Sequence, residues 1–381
     1  MKTGKIILST ITLATLFFIQ SCQKETKKAE TINEEVATAP NINAAVGETV
    51  TQPQVYGVWH AGNDFCIWGT VRTVSEFDSK NHWLIDRGNG QPSVNIVILS
   101  FVHPLKLLNS TTDATTLNGV PRGMTLDIVN YFKSRGIRVM LSIGGITYTD
   151  AWDQALSANA TQLGLNAAAV ANSFGVGIEI DYEQNRNPNL TGLQQFVTAY
   201  RSQIPYDASG VNHAARLTID LAAGDRWLID ICRKATADWL TTSNPVLDYA
   251  NAMVTARQPT ASAAIANWQE HVDGKPQYGP PIPPLAPAKF TGSLWLVDRK
   301  VIAECNNFNN SLQNSTASFV QSVLPNGAGT TPGMLGYMFW AAECQGTRAV
   351  CTTPPNSCEN GIGAGATFFN IPIPMTALRQ Q

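Results

Sequence analysis

The sequence predicts an α/β fold, a closed (β/α)8 barrel of the TIM type, and two observations carry that prediction. Eight short apolar runs recur along the chain, with helical stretches between most of them. Several of these runs are apolar almost throughout, as strands covered on both faces must be. Alternation of this kind demands parallel strands joined by crossovers, and eight such units close a barrel. The rival is an open doubly wound sheet, which would carry a glycine-rich phosphate turn after its first strand. Trp59-His60-Ala61-Gly62-Asn63 is not such a turn.

Residues 54–60 form the first strand and 94–102 the second, a nearly continuous apolar run. Over 123–135, Met124, Ile128, Tyr131 and Phe132 fall on one face of a helix. The third strand, 137–145, ends on two glycines, and an Ala- and Leu-rich helix follows over 149–173. The fourth strand is 176–183. Helices over 190–203 and 226–241 flank a fifth strand at 216–224. The sixth, 247–257, precedes a helical piece at 260–271. Residues 274–289 are proline-rich and form a loop. The seventh strand is 292–299, and a helix over 312–323 leads to the eighth at 335–344.

Hydrophobic residues make up 44% of the 381 and charged residues only 14%, so the chain builds a sizeable core. A formal net charge of −2 gives no basic field for nucleic-acid phosphates, and no nucleic-acid partner is expected. Low charge with nine Trp and nine Tyr suits a neutral partner that stacks on aromatic faces, such as a sugar. At the start, Lys2 and Lys5 precede an apolar run over 6–19, too short to span a bilayer as a stable helix. Gln20-Ser21-Cys22 then resembles a bacterial lipoprotein signal cleaved before Cys22, with Ile19 in the place of the usual Leu. Residues 1–21 are thus expected to be a signal peptide and 22–52 a flexible tether. Residues 53–381 are expected to be one barrel domain. The implied location is the bacterial cell envelope, at the outer membrane or cell surface, with Cys22 as lipid anchor. Cys66, Cys232, Cys305, Cys344, Cys351 and Cys358 are even in number, which permits disulfides, one of them local to the last three. Histidine is scarce and no Cys-x-x-Cys occurs, so no metal site is expected.

The chemistry points to the fourth strand. Glu179, Asp181 and Glu183 stand two apart and share one face, with Ile178 and Ile180 on the other. In a strand flanked by helices inside a parallel sheet, those acids project into the barrel, where charge is costly. Crowded like charges raise at least one pKa, and a carboxylic acid so raised can donate a proton near neutral pH. Glu183 comes last, at the strand end where barrel active sites are built. It is therefore the expected proton donor, with Asp181 and Glu179 tuning it. A solvated acidic edge or a cation site is the plain alternative. There is no G-x-S-x-G, which argues against a serine hydrolase.

These residues resemble glycoside hydrolase family 18, the chitinases and endo-β-N-acetylglucosaminidases, whose fourth strand reads D-x-x-D-x-D-x-E. Gly177, Ile178, Ile180, Asp181 and Glu183 match, and Tyr182 stands where Trp or Tyr is usual. Ser142-Ile143-Gly144-Gly145 is similar to the family's S-x-G-G. Gly336-Tyr337-Met338-Phe339-Trp340 ends where the family carries a Trp under the bound sugar. The resemblance spans residues 56–343. Val176 and Glu179 replace two of the motif's acids. On the sixth strand Met253-Val254-Thr255-Ala256 aligns with M-x-Y-D and lacks its Tyr and Asp.

The resemblance implies hydrolysis of β-1,4 linkages next to N-acetylglucosamine, in chitin oligomers or the chitobiose core of N-glycans, by substrate-assisted retention. Glu183 would protonate the glycosidic oxygen and later activate water. The acetamido oxygen would attack the anomeric carbon, and Asp181 would hydrogen-bond the acetamido N–H. Trp340 would floor the subsite and Gly145 line it. Tyr148 or Arg257 would replace the absent Tyr. No cofactor or metal is implied, and a monomer is expected. Two further readings stay open. One is a catalytically weak or inactive glycan-binding barrel, favoured by Thr255 and Ala256. The other is a structural or adhesin-like surface lipoprotein. Trp59, Trp68, Trp227 and Trp295 are sugar platforms or structural residues, and His60 and His103 line the mouth or serve packing.

Overall fold

In the computed structural model, the described residues are 54–61, 68–86, 90, 92, 94–222, 228–253, 261–295 and 334–340. The strands are β1 (Val55–Ala61), β2 (Ile96–Val102), β3 (Arg138–Gly144), β4 (Gly177–Asp181), β5 (Leu217–Ala222), β6 (Ala250–Met253), β7 (Phe290–Trp295) and β8 (Gly336–Trp340). All are parallel, each bonds its neighbours in chain order, and β8 returns to β1, so the barrel is closed.

Closure splits the apolar residues into two cores. On β1, Tyr56 and Val58 belong to the larger core between strands and helices, while Val55 and Trp59 belong to a smaller one with Ile96, Ile98 and Met140. This is the alternation of a strand buried on both faces.

The helices are α1 (Val74–Ile85), α2 (Pro104–Leu108), α3 (Leu126–Lys133), α4 (Thr149–Phe174), α5 (Leu190–Gln203), α6 (Ile229–Lys234) and α7 (Ala261–Asp273). α3 starts on a Thr125 cap and buries Ile128, Val129, Tyr131 and Phe132. Each aliphatic or Phe side chain so buried contributes about 1.5–3 kcal/mol. Helix α4 is rich in Ala because it lies against both the strands and α5.

The structure corrects several sequence expectations. α1 has a weak apolar pattern and was not expected; a capping box between Thr73 and Glu76 starts it. A small hairpin pairs Thr116–Leu117 with Val120–Pro121. The helix expected over 226–241 is α6 followed by a π turn, Ala235–Trp239. β4 ends at Asp181, so Glu183 stands two residues beyond the strand rather than in it. The expected signal peptide and tether, the helix over 312–323 and every cysteine except Cys232 lie outside the described residues. Cys232 is buried in α6.

The N-terminal end of the barrel is closed by charge. Asp248 Oδ2 accepts from Arg201 at 3.1 Å and from the Leu217 N–H at 2.8 Å. The Lys289 ammonium donates to the Asp248 carbonyl at 3.0 Å, and Arg138 donates to the Gly210 carbonyl at 2.8 Å. This ionic floor leaves the opposite, C-terminal end for the acids of β4.

Candidate active site

Of the three acids expected on β4, Glu179 and Asp181 stand on the strand and Glu183 two residues beyond it, and the three sit in different surroundings. Glu179 is level with Ser142 on β3 and Thr218 on β5, fully buried inside the barrel. The Trp59 indole donates to its Oε1 at 2.8 Å, and the Asn251 amide donates to its Oε2 at 2.7 Å. Asn251 is itself oriented by the Thr291 hydroxyl, which donates to its Oδ1 at 2.7 Å. Burial raises the Glu179 pKa, and these donors pull the other way. Trp59 is therefore a buried donor to the acid row and not an open sugar platform.

Asp181 lies one step nearer the mouth, level with Gly144. It is buried, and its Oδ1 has no hydrogen-bond partner among the described residues. Burial, then the charges of Glu183 and Glu179, push its pKa well above the usual range. Its backbone is pinned: the Asp181 carbonyl accepts from the Gly145 N–H at 3.0 Å and from the Trp152 indole at 3.1 Å.

That pinning explains the two glycines ending β3. Gly144 has φ +123°, and a Cβ there would stand 1.9 Å from the Asp181 carbonyl oxygen. Gly145 has φ +90°, and a Cβ would meet the Phe101 ring at 3.0 Å. Gly145, expected to line a subsite, serves the site through its backbone.

Glu183 is half-buried beyond the end of β4. Burial pushes its carboxyl up to about 7, opposed by a hydrogen bond from the Ile146 N–H. The Ile146 side chain is 56% exposed, so an apolar surface stands beside this acid. Tyr182 anchors the segment on the outside of the barrel. Its hydroxyl donates to Asp153 of α4 and accepts the Asn189 N–H at 2.9 Å. Gln184 donates to the other oxygen of Asp153 at 2.6 Å.

Tyr148 follows the two glycines, and its ring lies 4.6 Å from that of His103 at the end of β2. Both are partly exposed. Burial, then the Lys106 charge, lowers the His103 pKa. His60 is structural: buried, bonded to Asn81 at 2.9 Å and pushed down to about 4 by burial. Trp68 is buried as well and donates to the His60 carbonyl at 3.2 Å. Trp340 ends β8 with its backbone level with Trp295 of β7; neither side chain is among those described. Cys22, Trp227, Thr255, Ala256 and Arg257 lie outside the described residues.

Sequence reasoning missed two members of the cluster, Asn251 and Asp220. Asp220 lies buried on β5, level with Asn251, and burial, then the charges of Glu179 and Asp181, push its pKa well above the usual range. The signal was present: an acid within Leu217–Ala222, on the face opposite Ile219 and Leu221, is the same pattern as the β4 row. Among the described residues, no group of His, Cys, Asp and Glu is arranged to hold a metal.

No family model matches the sequence, and no curated protein matches it. Among solved structures, the chain is similar to a GH18 chitinase from Pseudoalteromonas aurantia, with 12% identity and a TM-score of 0.48 over 74% of this chain and 93% of that one. It is similar to a chitinase from Rhizomucor miehei, with 13% identity and a TM-score of 0.45 over 75% and 93%. It is also similar to an endo-β-N-acetylglucosaminidase from Cordyceps militaris, with 14% identity and a TM-score of 0.45 over 84% and 90%. The barrel itself rests on its own closed strand order.

Proposed function

We propose that this chain is a retaining glycosidase acting next to N-acetylglucosamine, with Glu183 as acid and then base. The observation that carries the proposal is a half-buried carboxyl held at about 7, just beyond β4, next in line to the buried and unpartnered Asp181. An acid with a pKa near the working pH is suited to protonate a leaving oxygen and then to take a proton from water. The resemblance of the β4 row to that of glycoside hydrolase family 18 gives the role of nucleophile to the substrate's own acetamido oxygen, which would restrict the substrate to 2-acetamido sugars. Asp181, with an open oxygen, would accept the acetamido N–H and offset the positive charge of the oxazolinium ion. Tyr148 at the mouth would take the role of the absent sixth-strand Tyr, and Trp340 would floor the subsite. Export and anchoring through Cys22 belong to the same proposal, supported by the leader sequence.

The test is turnover of chitin oligomers and of a high-mannose glycopeptide by the full chain. Glu183→Gln should lower kcat by about 10²–10⁴-fold and leave glycan binding intact. Binding by wild type without product from either substrate would favour the second reading, a glycan-binding barrel, which Thr255 and Ala256 support. Absence of any binding would sink both.

A further inference from the structure

The ladders that hold β4 end before its outermost acid. Pairing with β3 stops at Asp181 and pairing with β5 at Ile180, so Glu183 has no partner residue in the sheet. An acid that must meet a leaving oxygen needs a fixed place, because about 1 Å of misplacement costs about 100-fold in rate. The residues on either side of Glu183 supply the hold, and both reach one carboxylate, that of half-buried Asp153 on α4. The Tyr182 hydroxyl donates to Asp153 Oδ1, and the Gln184 amide donates to its Oδ2 at 2.6 Å.

Both donors are themselves oriented. The Tyr182 hydroxyl accepts the Asn189 N–H at 2.9 Å, and Gln184 Oε1 accepts the Arg186 N–H at 3.1 Å. With an N–H already on its oxygen, each turns its own proton to Asp153. The residue before Asp153 adds to the hold: Trp152 donates to the Asp181 carbonyl at 3.1 Å, and its ring lies 5.6 Å from that of Tyr182. Two adjacent residues of α4 thus grip the chain at 181, 182 and 184, and Glu183 stands inside that grip. We propose that Asp153 is a positioning residue: its two oxygens hold the side chains before and after Glu183 and so fix that acid at the mouth of the barrel. The effect on turnover rests on the glycosidase reading; the hold on the chain does not.

Two variants of the full chain test this. Asp153→Ala removes both acceptors. Tyr182→Phe with Gln184→Leu removes both donors, keeps the Asp153 charge, and serves if Asp153→Ala does not fold. On a chitin oligomer each should lose about 100-fold in kcat with KM little changed. Combining all three substitutions should cost no more than either variant alone, because both break the same two bonds. A residue that only stabilises the fold would lower the melting temperature and leave kcat of the folded protein near wild type; that result overturns the proposal. The second readout needs no turnover. Infrared pH-difference spectra of wild type against Glu183→Gln isolate the Glu183 carboxyl, which burial holds at about 7. The same comparison in the Tyr182→Phe, Gln184→Leu background should show it titrating about one pH unit lower or more, as the released carboxyl gains water. An unchanged midpoint overturns the proposal whether or not the protein is an enzyme. A wild type without turnover sinks the glycosidase reading instead, and the titration still decides whether Asp153 holds Glu183.

Discussion

Glu183 is made a neutral-pH acid by its surroundings. An ordinary glutamate in water is ionised far below neutrality; this one is pushed up to about 7 by burial beyond β4. The protonated form donates to the leaving oxygen, so activity should be lost as pH rises through that value. We predict that kcat/KM for an N-acetylglucosamine oligomer falls about tenfold per pH unit above about 7. A profile flat well into the alkaline range would remove Glu183 from the role of acid. Glu179 and Asp181 were legible in the sequence because alternation on a strand forces both carboxylates onto one face, and Glu183 follows at the same spacing just beyond it. Asp220 and Asn251 were not, because each is a single polar residue in its own strand, and only the barrel brings them to Glu179.

The end of β3 determines where the acids of β4 stand. Gly144 touches the Asp181 carbonyl so closely that no side chain fits, whereas the obstacle beside Gly145 is the Phe101 ring. Gly144→Ala should therefore destabilise the protein by at least about 3 kcal/mol, and Gly145→Ala by less. Denaturant titration of the two variants checks the order; the reverse order would mean the pinning of Asp181 is not what the glycines serve. The strands were readable because apolar runs between helical stretches have one architecture that covers both their faces. α1 was not, although Thr73 and Glu76 spell its start, because its apolar pattern is weak. The end of β4 was not readable either. Its ladder with β3 stops at Asp181 and that with β5 at Ile180, and a single strand carries no mark of where its neighbours let go.

The barrel separates charge along its axis, with cations at the N-terminal floor and acids at the C-terminal mouth. Its stability should depend on pH accordingly. Glu179, Asp181, Asp220 and Glu183 all have raised pKa values, so the folded state holds protons that the unfolded chain releases. Stability supplied in this way falls as pH rises. Below their ordinary value of 6.5 the opposite trend enters, because His60 and His213, both lowered to about 4, are neutral when folded and protonated when unfolded. Above about 8, Lys289 adds another rising contribution, since its pKa is lowered to about 8. Between pH 6.5 and 8 the four raised acids outnumber the groups that oppose them, and the melting temperature should decline across that window. A melting temperature that climbs there would show that the acids are not buried together as described.

From the chain alone came the parallel barrel, the buried acidic row and the choice of Glu183 as its outermost member, because each follows from periodicity along one segment. Packing decided the rest. That Glu179 is held by Asn251 and by Trp59, which serves it instead of a sugar, depends on residues 72 and 120 positions away meeting it across the closed sheet. Contacts of that range follow from strand register and closure, and no local pattern encodes them.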